Sequence, residues 1–148
     1  MRFLLVDRIE TLMPGKSIIA ARTVPMDDAY LQDHFPGFPV VPGVLLTEMM
    51  AQAAGKCLDA ERKPRGKAML AKILSASFRA WVTPGSETFL HAQITKNADR
   101  YANADCHVEV GGKTVAQASL FFSFLPMEQF VSGYRDEVLE RYLAEHPK

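Results

Sequence analysis

The sequence predicts an α+β protein in which one long helix is enclosed by a curved antiparallel sheet. Three observations predict it. Residues 44–60, VLLTEMMAQAAGKCLDA, are apolar on nearly every face of a helix, which requires burial on most sides. Two runs rich in Leu, Val and Ile, at 3–10 and 17–24, precede this helix. Three or four further strand-like runs follow it, separated by Gly and Pro turns, as expected of a sheet with one covered face.

Met13-Pro14-Gly15-Lys16 is a turn signal, so 3–10 and 17–24 read as a hairpin. The apolar start, Phe3 to Val6, stops at Asp7-Arg8; it is too short for a signal peptide and reads as the first strand. Asp27 or Asp28 is placed to cap a short helical turn through Tyr30 and Leu31. Residues 33–43, DHFPGFPVVPG, hold three prolines and two glycines, which exclude a regular helix or a central strand and make a stiff loop. After the helix, 61–67 is a polar connection. Strands are expected at 68–78, 81–85, 87–97, 101–110 and 113–126, with turns at Pro84-Gly85 and Gly111-Gly112. Residues 133–145 read as a short amphipathic helix on the outside.

A chain of 148 residues suits one domain with a real core. The formal net charge is zero, so no global field draws the chain to nucleic acid or an anionic membrane. No apolar run is long enough to span a bilayer. Cys57 and Cys106 lack metal-like spacing and read as buried thiols in a reducing, cytoplasmic compartment.

Two residues carry chemistry. Glu48 sits within the apolar helix, where a carboxylate is costly unless paired or protonated, and this suits a general acid. His34 lies in the stiff loop just before that helix, and its imidazole can accept a proton near neutral pH. The helix begins near Gly43, so its first N–H groups are free to stabilise charge developing on a carbonyl oxygen. Base, acid and oxyanion site fit removal of a proton alpha to a thioester carbonyl with loss of a beta hydroxyl. The plainer alternative is a structural His and a Glu on a buried donor. His91 and His107 fall in strands and read as structural.

Residues 34–52, HFPGFPVVPGVLLTEMMAQ, resemble the signature of the beta-hydroxyacyl-acyl carrier protein dehydratase family, in its Glu-bearing branch. The opening FLLVDRI at 3–9, Phe78-Arg79 and Val82-x-Pro84-Gly85 also resemble that family, so the likeness spans roughly 3–125. Trp81 and Ser86 depart from its pattern, and the tail after Pro126 is longer than its core requires. The resemblance implies a hotdog fold, with a dehydratase domain at 1–127 and a helical extension at 128–148 packed on the outside.

It also implies roles. His34 would abstract the C2 proton of a (3R)-hydroxyacyl thioester, and Glu48 of the partner subunit would protonate the departing hydroxyl. Gly43 would hold the carbonyl, Gln52 would support Glu48, and Val44 would line the start of an acyl tunnel. Phe35, Phe38 and Met49 are further tunnel candidates, with core packing as their plainer reading. The implied partner is acyl carrier protein, in fatty-acid or related acyl-chain biosynthesis. Arg62, Lys63, Arg65 and Lys67, joined by Lys72 and Arg79, are candidates to dock it. The implied assembly is a homodimer with active sites at its interface, extended in many members to a hexamer of three dimers. Neither cofactor nor metal is implied, because dehydration changes no oxidation state. Competing expectations are an acyl-thioesterase, a dehydratase-isomerase and a non-catalytic acyl-binding subunit.

Overall fold

The computed structural model describes residues 1–131 and 133–147. Ser132 and Lys148, both inside the expected 128–148 extension, lie outside the described residues. The elements in chain order are β1 (Arg8–Met13), β2 (Ser17–Thr23), α1 (Tyr30–Asp33), α2 (Gly43–Asp59), β3 (Lys67–Phe78), β4 (Glu87–Asn97), β5 (Tyr101–Val110), β6 (Lys113–Leu125), α3 (Met127–Phe130) and α4 (Glu137–Glu145). The six strands form one open sheet in the order β1-β2-β4-β5-β6-β3, with every neighbour antiparallel.

The inner face of the sheet, which packs on α2, mixes small residues with Ile18, Leu90, Leu120 and Phe122. Ala20, Ala92, Ala102, Ala104, Ala116 and Ala118 are buried on it, and the helix fills the space with Leu46, Met49, Met50 and Leu58. Alternating small and large partners let the layers approach at native packing density. Cys57 and Cys106 are free and buried in the same core. Burial, as the largest cause, pushes their thiols up to about 11 and about 12.

The expected hairpin forms, and Lys16 N–H donates to the Met13 carbonyl across its turn. The first strand begins later than expected, at Arg8. Residues 3–5 are instead held by a side chain of α2: Gln52 Nε2 donates to the Phe3 carbonyl and Leu5 N–H donates to Gln52 Oε1. No strand forms at 81–85; the segment is an irregular strap, joined to the stiff loop where Val41 N–H donates to the Val82 carbonyl at 2.8 Å. Neither Asp27 nor Asp28 caps α1, whose N-cap is Ala29 without a side-chain bond. In the tail, α4 starts at Glu137 rather than 133, because Asp136 takes the N-cap and accepts from Val138 N–H and Leu139 N–H. Val138 and Leu139 are buried in the main core, and α4 lies against β1. Among the described residues, no helix is long and apolar enough to cross a membrane.

One edge of the sheet is unusual. β3 is an edge strand, yet Met69, Leu70, Ile73, Leu74 and Phe78 are all exposed on it. Its pairing with β6 is interrupted by two bulges, between Leu70 and Lys72 and between Ile73 and Ser75. A long apolar edge in water is a template for pairing with another chain.

Candidate functional site

The loop before α2 is fixed by backbone bonds at both ends. His34 N–H donates to the Tyr30 carbonyl, and Val40 N–H donates back to the His34 carbonyl at 2.9 Å. Between them Phe35 and Phe38 exchange two bonds of 2.8 Å, and Gly37 turns the chain at a φ of 77°, where a side chain would be strained. The His34 ring is oriented as firmly as its backbone: Nδ1 lies 3.0 Å from the Val40 carbonyl oxygen. A carbonyl only accepts, so Nδ1 carries the proton and donates. In the neutral ring Nε2 therefore keeps its lone pair, which is the state a general base needs.

α2 begins at Gly43, after Pro42 sets an extended entry with no side-chain cap. As the first helical residue, Gly43 has an N–H with no intrahelical acceptor. A side chain there would be crowded. A Cβ would stand 3.0 Å from the Phe78 ring, which closes over the helix start from the end of β3. The sequence shows Phe78 only as part of a motif; its packing on Gly43 is a contact between distant elements.

Glu48 is half-buried, one turn along α2, and Gln52 Nε2 donates to its Oε1 at 3.2 Å. Gln52 thus joins the carboxylate to the N-terminal segment. Glu48 and Gln52 open into a groove of about 480 Å³, whose walls also include Phe3, Leu4, Met69 and Leu70. His34 is not among the residues lining it. Among the described residues of the single chain, no hydrogen bond joins His34 to Glu48.

The remaining expected residues scatter. Val44 is 76% exposed at the helix start, beside the loop. Phe35 and Phe38 are exposed, the first stacked on His34 and the second edge-on to Trp81. Met49 is 1% exposed and belongs to the core, so the three tunnel candidates share no cavity in the single chain.

The basic run is largely neutralised. The Arg65 side chain is 8% exposed, paired with Glu61, bonded to Asn97 and stacked on Phe124. Lys67 pairs with Asp59 at 2.8 Å, Arg62 with Glu140 and Lys63 with Glu61. Lys72 is exposed on β3, and exposed Arg79 donates to Gln117. The cluster best placed for a metal is elsewhere: His91, His107 and Glu109 hold ligand atoms within 4.8 Å of one another. The two rings are stacked 12° from parallel, so their lone pairs do not converge on one point.

An open antiparallel sheet around one helix, fed by a rigid His-bearing loop, defines the class as a hotdog-fold protein. The chain belongs to the FabA-like domain family, whose model matches residues 1–119. It is 39% identical over 120 residues to the 3-hydroxyacyl-[acyl-carrier-protein] dehydratase FabZ of Lactiplantibacillus plantarum, covering 80% of this chain and 82% of that one. The FabZ of Pediococcus pentosaceus is 40% identical over 120 residues, covering 80% of each chain. Among solved structures, the dehydratase heterocomplex ApeI:P of Xenorhabdus doucetiae superposes with a TM-score of 0.68 at 17% identity, covering 88% of this chain and 90% of that one. At that identity the likeness shows the fold alone.

Proposed function

We propose that the protein is a (3R)-hydroxyacyl-[acyl carrier protein] dehydratase, a hydro-lyase of acyl-chain biosynthesis that yields the trans-2-enoyl thioester. The observation that carries this reading is the His34 imidazole, held by Val40 so that Nε2 is the free base. Family membership and the named relatives support the substrate class.

In this mechanism Gly43 N–H binds the thioester carbonyl and draws charge from C2 as its proton leaves. His34 Nε2 takes that proton. The protonated Glu48 carboxyl gives its proton to the C3 hydroxyl, the C–O bond breaks, and water departs as the C2–C3 double bond forms. Gln52 positions Glu48. Val44, Phe35 and Phe38, exposed around the loop, receive the acyl chain as it enters. Carrier protein docks on the exposed cations Arg62, Lys63, Lys72 and Arg79, the first two of which also hold surface ion pairs, while Arg65 and Lys67 serve the fold.

The active form is a homodimer joined along β3, with Glu48 of the partner subunit facing His34. Three features support it: the apolar β3 edge, its continuation through Phe78 to Gly43 and through Trp81 to Phe38, and the separation of His34 from the Glu48 groove in one chain. Residues 1–127 form the catalytic domain, and 128–148 extend the same unit. Free buried thiols suit a reducing cytoplasm.

The test is His34→Ala. Turnover of a (3R)-hydroxyacyl carrier-protein substrate should fall about a thousandfold, the scale of lost acid–base catalysis. The circular dichroism spectrum and melting temperature should be preserved. Undiminished turnover by a folded variant rules the mechanism out.

A further inference from the structure

The groove that holds Glu48 does not end within the region matched by the family model. That model stops at residue 119, whereas the groove is also lined by Tyr134 and Asp136 of the tail, with Lys56 and Lys67. This part is polar and tightly held. Lys56 Nζ lies 2.8 Å from Asp136 Oδ2, with side chains only 7% and 9% exposed. Asp136 is fixed a second time by capping α4, and α4 is anchored in the core by Val138 and Leu139. Lys67 is occupied by Asp59. The near end is apolar along Phe3, Leu4, Met69 and Leu70. A chain lying in this groove thus runs along apolar walls from Glu48 until it meets ion pairs.

We propose that the C-terminal tail limits acyl-chain length, Tyr134 and Asp136 with Lys56 forming a polar end wall to the groove that starts at Glu48. This rests on the dehydratase reading and adds a substrate class: short and medium chains. Glu48 and Lys56 are eight positions apart on one helix, about 12 Å at the helical rise. An extended chain advances about 1.2 Å per bond, from roughly 3.6 Å per three backbone bonds. About ten bonds beyond C3 therefore fill the groove. A hydroxyoctanoyl chain, with five carbons beyond C3, fits inside it. A hydroxyhexadecanoyl chain, with thirteen, presses methylenes on the Lys56–Asp136 pair, and a buried pair tolerates neither separation nor loss of its remaining polar contacts.

The experiment compares kcat/KM for (3R)-hydroxyoctanoyl and (3R)-hydroxyhexadecanoyl acyl carrier protein, using full-length protein. The wild type should favour the shorter chain by about tenfold or more, the scale on which one pocket contact discriminates. The double variant Lys56→Met/Asp136→Asn removes both charges while Asn keeps the cap, and Tyr134→Ala opens the wall without touching the pair. Melting temperatures identify any variant that fails to fold, and Tyr134→Ala, at a half-exposed position, provides the second reading. In folded variants the ratio should move about tenfold toward the longer chain. Equal rates for both chains in the wild type, or a ratio unmoved in both variants, overturns the chain limit while leaving dehydration of the octanoyl substrate intact. Dehydration of neither chain by the wild type instead overturns the dehydratase reading, and the limit with it.

Discussion

At the residue scale, His34 and Glu48 stand out in the sequence as candidates because each conflicts with its surroundings: a proton acceptor in a Pro- and Gly-stiffened loop, and a carboxylate in an apolar helix. The tautomer of His34 was not legible, since it depends on a carbonyl six residues away that only the folded loop brings to Nδ1. Gln52 was legible as a neighbour of Glu48 one turn away, but its grip on Phe3 and Leu5 was not. Gln52→Leu should therefore lower stability by about 1–3 kcal/mol, the scale of polar groups losing their partners, and lower turnover as well; chemical denaturation and steady-state rates check both. His107 gives a pH prediction. Burial, then the stacked His91, hold its imidazole below the ordinary range against a weaker pull from Glu109. The unfolded chain thus takes up this proton first, near pH 6.5. Stability from the site is complete above that pH and is lost as pH falls through the lowered folded value. The urea midpoint should drop between pH 7 and 5, and His107→Gln should flatten that drop; an equal slope in the variant would refute the assignment.

At the element scale, β4 and β5 fall where alternation and Gly turns placed them, because each has one face on the helix and one in water. Two failed strand expectations share a cause. Residues 3–5 bond to Gln52 of α2 and Val82 bonds to the stiff loop, and composition does not say which partner an apolar segment takes. β3 carries the strongest prediction here. Leu74→Lys places a charge on the apolar edge, which should prevent edge pairing. Sedimentation should show a shift to monomer, with turnover falling in parallel. A dimer unaffected by the change would move the interface elsewhere. Gly43→Ala asks the exposed Phe78 ring to yield a few tenths of an ångström. It should cost about 1 kcal/mol of overpacking and a larger share of turnover, because the displaced helix start misdirects the Gly43 N–H.

At the scale of the whole molecule, the proposed mechanism divides the catalytic pair between subunits. Mixing His34→Ala and Glu48→Gln homodimers after reversible unfolding should restore activity, because one site of each heterodimer then contains both native residues. If both residues served from one chain, no heterodimer would contain an intact site. The approach of the tail to the groove of Glu48 was not legible, because only the fold brings Tyr134 and Asp136 there. The most direct measurement incubates the purified protein with (3R)-hydroxyoctanoyl acyl carrier protein and follows the intact carrier by mass spectrometry. Loss of one water with the thioester retained is the predicted result. Release of free acid and carrier thiol, with no dehydrated species, would contradict the account and identify a thioesterase on the same fold.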